Sequence, residues 1–325
     1  LSHPVLGYSL SPDALSTSLF EWFLRRHHWT INPAQFMLTP GVVPTLYAAV
    51  QALTEPNDGV IVLSPIYPPF FSAVEASGRH VLDCSLHEEQ GYYRLPYEAL
   101  EQLAPQARMV LLCNPHNPVG RVWSREELNW LIDWALRHNL VLVSDDIHCD
   151  LLYPGRQYIP IASLAPAELR VVTAVSPSKS FNIPGLNLSG LVASHAADKR
   201  SLRQVFERLP VNPFNPLSMA AFTAAYAEAG SWLDALMHYL DANRALVLEQ
   251  LKNTPIQCRS PEATALLWLD CRALGLDNNG LKRFFVQQAG LGLNDGASFG
   301  PAGNGFMRLN IGTQRAVLEQ AMQQL

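Results

Sequence analysis

The sequence predicts an α/β fold: a mostly parallel sheet sandwiched by helices, followed by a smaller C-terminal α+β domain. Three observations carry that expectation. Short β-rich apolar runs at 59–65, 107–115, 140–146 and 170–179 alternate with helical patterns, as successive βαβ units do. Those runs show no polar/apolar alternation, as expected of strands covered by helices on both faces, so each is expected to be central. From about residue 213 the character changes to a long Ala-rich helical stretch near 215–252, then strand, helix, strand and helix.

Taken in order, the segment TPGVVPTLYAAVQAL at 39–53 places a Gly-containing turn before a helical pattern, with Pro44 acceptable in the first turn. Such a turn aims free backbone N–H groups, here of Val42 and Val43, at an anion such as a phosphate, although an ordinary strand-to-helix loop uses the same letters. After the second marked strand, Ser124 and Glu127 form a capping box. Leu128, Leu131, Ile132, Ala135 and Leu136 then recur at helical spacing up to His138 and Asn139. In the C-terminal part, ALLWLDC (265–271) and FMRLNIG (306–312) read as strands, with helices near 279–289 and at the end. The expected division is a large domain over 1–228 and a small one over 229–325, hinged by the long helix.

With 325 residues and 48% hydrophobic content, the chain is long enough for one large core and a second, smaller one. The formal charge of −5 is spread evenly, and no Lys/Arg run marks a nucleic-acid or anionic-membrane surface, so the expected partners are small molecules. No apolar stretch approaches the roughly 20 residues needed to span a bilayer. The five cysteines include no CxxC pair and lack the density of a disulfide scaffold, which fits a reducing compartment, the cytoplasm. The chain opens on Leu1 rather than Met, so further residues, a targeting segment among the possibilities, are expected upstream.

Ligands of open α/β sheets sit beyond the carboxyl ends of the strands, and the residues there are polar in an unusual way. They are Ser64–Tyr67, Asn114–Gly120, Asp145–His148 and Ser176–Lys179, which bring an aromatic ring, an amide, a carboxylate, a hydroxyl and an amine to one crevice. Lys179 is one of four lysines and alone follows a buried-looking strand. An amine in a dry crevice gives up its proton more readily, which suits Schiff-base formation; a plain ion pair with Asp145 would use the same two residues. Asp145 could cap the following segment, or face the nitrogen of a pyridine ring and keep it protonated. Tyr67 could stack on such a ring or be an ordinary strand-end aromatic. Ser176 and Ser178 would add hydroxyl donors to a phosphate. Arg308 puts a permanent charge inside an apolar strand, so it wants either an internal acidic partner or a substrate carboxylate gripped by its fork.

Together these spacings resemble the fold-type-I pyridoxal-phosphate superfamily, class I/II aminotransferases, over essentially the whole chain. The elements that carry the resemblance are NPHNPVG, SDDIH, SPSKSFNIPGL and FMRLNIG, in that order. HPVLGYS, TPGVVPTLYAAV, SDDIH and KSFNIPGLN bring it closest to the carbon–sulfur β-lyase branch, the PatB-type cystathionine β-lyases. The resemblance implies an aspartate-aminotransferase-like fold and pyridoxal 5'-phosphate as cofactor, with Lys179 as its covalent anchor and Asp145 at the pyridine nitrogen. It also implies that Asn117 bonds the phenolic oxygen and Tyr67 stacks on the ring, with Val42, Val43 and Ser176 at the phosphate. Tyr8 would reach the phosphate of a neighbouring subunit, so a homodimer with shared sites is implied. Two departures stand out: His148 occupies a position where a tyrosine commonly touches the phenolic oxygen, and Asn187 one where an arginine often binds phosphate. The family's N-terminal segment, which closes over the substrate, is largely missing. The implied reaction is α,β-elimination from cysteine S-conjugates to thiol, pyruvate and ammonia. An aminotransferase is the first alternative, and a cofactor-binding regulatory protein that sequesters a transcription activator is the second.

Overall fold

The computed structural model describes residues 7–208 and 214–325; the start of the HPVLGYS motif, residues 3–6, lies outside them. Among the described residues the strands are β1 (Phe36–Thr39), β2 (Gly59–Val62), β3 (His80–Asp83), β4 (His87–Glu89), β5 (Tyr92–Arg94), β6 (Ala107–Cys113), β7 (Val141–Asp145), β8 (Val171–Val175), β9 (Ser189–Ala193), β10 (Leu266–Asp270), β11 (Asn294–Asp295) and β12 (Phe306–Asn310). The helices are α1 (Asp13–His27), α2 (Val42–Leu53), α3 (Pro69–Glu75), α4 (Tyr97–Leu103), α5 (Arg125–Arg137), α6 (Ile161–Leu164), α7 (Ala196–Glu207), α8 (Pro216–Glu228), α9 (Gly230–Leu251), α10 (Asn278–Arg283) and α11 (Arg315–Gln323).

The large sheet has the order β1-β9-β8-β7-β6-β2-β3. Strands β3, β2, β6, β7 and β8 are parallel, β9 is antiparallel to β8, and β1 is antiparallel to β9. All four strands marked by the sequence have a strand on each side. Their unbroken apolar runs follow from double cover. Ile61, Val110, Leu112 and Leu142 enter one core with residues of α4 and α5, while Val60, Val62, Met109, Leu111 and Val143 enter another with α2, α3 and α7. A strand with no solvent face has nothing to alternate with.

Helix α5 begins as the sequence indicates. Ser124 Oγ accepts a bond from the Glu127 N–H at 3.2 Å, and Glu127 Oε2 accepts one from the Ser124 N–H at 2.8 Å. Its buried Leu128, Leu131, Ile132 and Ala135 lie in the first core.

The long helical stretch at 215–252 is a pair of helices, α8 and α9, broken at Ala229 (φ −91°, ψ 18°). Gly230 has no side chain there, and the Trp22 ring passes 3.6 Å from where its Cβ would stand. Helix α8 packs on α1, and Met219, Phe222 and Tyr226 share a core with Leu15, Leu19, Trp22 and Phe23. The far end of α9 belongs elsewhere: Val247 and Leu251 join Leu267, Leu269, Met307, Leu309 and Leu318 in a separate core. That core lies against a three-stranded antiparallel sheet of order β10-β12-β11. The helix expected near 279–289 is α10 continued by a wider turn of π type through Gln288. No described helix is long and apolar enough to cross a membrane.

Candidate active site

The parallel strands end on one edge of the sheet, and a cavity of about 1000 Å³ opens there. Tyr67, Asn117, Asp145, His148 and Lys179 all line it. Val42, Val43, Ser176, Ser178 and Arg308 complete the set, so ten of the eleven residues singled out by the sequence meet in one place. Tyr8, the eleventh, is fully exposed and lies outside this chain's cavity.

Asp145 ends β7 opposite Cys113 of β6, deep in the sheet. Burial pushes its carboxyl up to about 7, against the opposing pull of the Ile147 N–H, which donates to Oδ1 at 3.1 Å, and of Lys179. One carboxylate oxygen thus turns the chain after β7, and Asp145 still faces the cavity. Lys179 follows β8. The expectation of a dry crevice fails here, because the Lys179 side chain is exposed within the open cavity. The plain ion pair with Asp145 is also absent among the described residues. The other three lysines have partners: Lys199 the Ala34 carbonyl, Lys252 Glu249 and Lys282 Asp295.

Arg308 comes from β12 of the small sheet. Its Nη1 donates to Asn117 Oδ1 at 3.0 Å and its Nη2 to Asn294 Oδ1 at 2.8 Å, while Nε is buried without a partner. No carboxylate pairs with it among the described residues, so the internal acidic partner is excluded there. Asn117 accepts from Arg308 through its oxygen, which leaves its amide N–H donors for the cavity. His148 is buried; burial first, then the charges of Lys179 and Arg308, press its imidazole down to about 3, so the ring is neutral. Its Nδ1 has no bond partner.

At the other end of the cavity Gly41 caps α2 with φ 157° and ψ 162°, and Thr45 Oγ1 donates to the Gly41 carbonyl at 2.8 Å. The N–H groups of Val42 and Val43 are therefore free of helix bonds and lie at its positive end. Ser176 differs from expectation: its hydroxyl donates to the Leu188 carbonyl at 3.2 Å and accepts from the Ser178 N–H at 3.2 Å. Its proton is already used, and the half-buried Ser178 hydroxyl is the freer donor. Asn187 also lines this end and, as its sequence position implies, brings no charge.

Several residues in or behind the cavity wall escaped the sequence reading. Asn294, which holds Arg308, sits on a two-residue strand with no pattern of its own. Trp232, Leu236, Tyr239 and Leu240 project from α9 into the cavity. Their i, i+4, i+7, i+8 spacing is a helical stripe, and Trp232 and Tyr239 remain largely exposed, so the stripe was there to be found.

An amine, a buried carboxylate, a guanidinium with no acidic partner and a helix N-terminus around one cavity define an enzyme site for a small anionic substrate or cofactor. The family pattern "Aminotransferase class I and II" matches residues 5–325, and the chain belongs to that family. It is 37% identical to cystathionine beta-lyase PatB of Bacillus subtilis over 100% of this chain and 85% of that protein. It is 30% identical to Protein MalY of Escherichia coli over 99% of this chain and 84% of that protein. Among solved structures, cystalysin of Treponema denticola, which contains a pyridoxal 5'-phosphate cofactor, superposes with a TM-score of 0.96 at 34% identity, covering 98% of this chain and 82% of that one.

Proposed function

We propose that this chain is a pyridoxal-phosphate-dependent carbon–sulfur β-lyase that cleaves cysteine S-conjugates, cystathionine among them, to thiol, pyruvate and ammonia. The observation that carries the reading is Arg308, whose fork has no carboxylate partner among the described residues and opens on the same cavity as Lys179 and Asp145. The residues fit the cofactor. Asp145 is a buried acid held near neutrality, ready to be matched by a protonated ring nitrogen. His148 Nδ1 and Arg308 Nε, in residues that line the same cavity, are buried and unpartnered, and the α2 N-terminus supplies an anion seat.

Pyridoxal phosphate, when bound, supplies a carbonyl that condenses with amines and a ring that draws electrons away from the substrate Cα. The chain's residues do the rest. Asp145 would keep the proton on the ring nitrogen, Tyr67 would wall the ring, Asn117 would donate from its amide, and Val42, Val43 and Ser178 would hold the phosphate. Arg308 fixes the substrate α-carboxylate with a charge-assisted fork. Lys179 Nζ would anchor the cofactor, and the same amine is the group placed to take a proton from the substrate Cα. A thiolate on Cβ can then leave; without a leaving group the same proton transfer leads to amino transfer.

Two companion readings belong to the same proposal. The chain acts as a cytoplasmic homodimer, in keeping with five free cysteines and with a fully exposed Tyr8 available to a neighbouring cavity. Its parts divide near 228/229, in keeping with the break between α8 and α9.

The test is incubation of purified protein with cystathionine and no keto acid. Pyruvate with free thiol is expected, and a strict need for 2-oxoglutarate would instead make the chain a transaminase. Borohydride reduction and peptide mapping should place the cofactor mass on Lys179.

A further inference from the structure

Behind Lys179 lies a buried polar junction that the proposed chemistry does not use. Asp150, at the end of the SDDIHCD segment, is 5% exposed, and both of its carboxylate oxygens are engaged. Oδ1 accepts from Trp22 Nε1 at 3.0 Å and lies 2.7 Å from His27 Nε2; Oδ2 accepts from Ser180 Oγ at 2.9 Å. Ser180 is fully buried and directly follows Lys179. Trp22 and His27 belong to α1, more than 120 residues away in sequence. The next residue reinforces the link: the Phe181 ring meets Trp22 edge-on at 5.5 Å and Tyr226 of α8 at 5.9 Å.

A fully buried carboxylate is costly unless its oxygens are satisfied, and the three donors that satisfy Asp150 tie α1 to the residue that follows Lys179. Burial alone would raise the Asp150 carboxyl, but the bonds from His27, Trp22 and Ser180 bring it below the usual carboxylate range, so it stands as an anion. Besides the Ser180 bond and the Phe181 ring contacts, the turn carrying Lys179 is held by Phe181 N–H to the Pro177 carbonyl at 2.9 Å, Ile183 N–H to the Ser178 carbonyl at 3.0 Å and Ser178 N–H to Ser176 Oγ at 3.2 Å. The lysine side chain itself has no partner among the described residues.

We infer that Asp150 is a positioning residue for Lys179: with Trp22 and His27 of α1 holding its carboxylate, it fixes the lysine turn through the Ser180 hydroxyl. The inference rests on the role of Lys179 given above. A side chain whose backbone drifts by a fraction of an ångström reacts more slowly without binding less substrate, because geometry at the reacting atom is lost while the carboxylate grip of Arg308 is untouched.

The experiment uses the full chain loaded with pyridoxal phosphate. Ser180→Ala removes one buried bond and no volume of consequence, so the thermal midpoint should fall by no more than about 4 °C. Its kcat for cystathionine should drop by about 10- to 100-fold with KM within about twofold, and less cofactor should be trapped on Lys179 by borohydride. Ser180→Thr, which restores a hydroxyl, should recover kcat, and Asp150→Asn should resemble Ser180→Ala. Should Asp150→Asn fail to fold, the Ser180 pair decides alone. A Ser180→Ala protein with the wild-type kcat and the wild-type trapped fraction overturns the inference, as does a loss that Ser180→Thr fails to restore. Wild-type protein that carries no cofactor on Lys179 would instead overturn the functional reading, and this one with it.

Discussion

Arg308 holds its charge with two amide oxygens for company, and a guanidinium so placed has its strongest interaction still to make. Lysine at this position would keep the charge but lose the planar fork that spans Asn117, Asn294 and a carboxylate at once. Arg308→Lys is expected to raise KM for amino-acid substrates by about 10- to 100-fold with a smaller change in kcat, the loss expected for one charge-assisted bidentate contact. Steady-state kinetics would show it, and an unchanged KM would mean that the carboxylate binds elsewhere. Asp145 offers a second test, in protein freed of cofactor. Burial raises its carboxyl from 3.8 to about 7, with Ile147 N–H and Lys179 pulling the other way. The folded chain therefore holds this proton more tightly than the unfolded chain. That contribution to stability is complete below about pH 4 and is lost as pH rises through about 7. Asp145→Asn should then be more stable than wild type at pH 8, by up to about 4 kcal/mol, with no advantage at pH 4, while activity is lost. Urea denaturation at the two pH values decides it; equal stability at pH 8 would show that the buried charge costs the fold nothing. Asp145 was legible in the sequence because it is a polar letter at the end of an apolar run, and Arg308 because it interrupts one. Asp150, His27 and Ser180 were not, because nothing local distinguishes three residues that meet only after α1 folds back.

At the scale of an element, the turn into α2 concentrates the demands on the backbone. Gly41 occupies a conformation essentially restricted to glycine, and a Cβ there would stand 3.2 Å from Pro44 Cδ. Gly41→Ala is expected to cost about 1–3 kcal/mol in strain and to rotate the Val42 and Val43 N–H groups off the anion seat. Denaturation should register the first effect and a weaker pyridoxal phosphate Kd the second; an unaltered Kd would place the phosphate away from α2. The same scale shows what sequence periodicity can and cannot deliver. Strands β2, β6, β7 and β8 were visible because double burial makes them continuous apolar runs, and α5 because its capping box is written in adjacent letters. Strands β1, β3 and β9 were not marked: β1 and β3 are four-residue strands at the sheet edges, with partly exposed residues, and β9 is a short run, SGLVA, that starts just after the motif following Lys179 and opens on Ser and Gly. The break between α8 and α9 was hidden because Ala-rich sequence continues helically on both sides of Ala229.

Across the whole molecule, the site depends on holding Arg308 of the small sheet at a fixed distance from Asn117 of the large one. Residues 261–264, which lead into β10, are clamped between the two loops that carry site residues. Glu262 N–H and Ala263 N–H donate to the Gly120 carbonyl at 2.9 and 3.0 Å, and Thr264 N–H donates to the Leu151 carbonyl at 2.7 Å. Gly120 stands at φ 70° with its Cβ position 2.4 Å from Pro261 Cβ, so no larger residue could let the strand pass. The clamp is closed by charge. Glu262 Oε2 accepts from Arg121 Nη1 at 2.7 Å and from the Val122 N–H at 2.9 Å, Glu262 Oε1 accepts from Arg156 at 3.0 Å, and Arg121 also grips Glu127. Two cations and two anions balance in a mostly buried junction, and removing one anion leaves Arg121 undercompensated. Glu262→Gln keeps the shape and one acceptor, so the loss should be about 2–3 kcal/mol rather than the larger cost of deletion. If the junction also sets the Arg308–Asn117 distance, KM should rise alongside, with the cofactor remaining bound through residues of the large sheet. Denaturation and steady-state kinetics on the same preparation separate the two effects. A destabilised Glu262→Gln protein with the wild-type KM would show that the clamp holds the chain together without aiming its arginine.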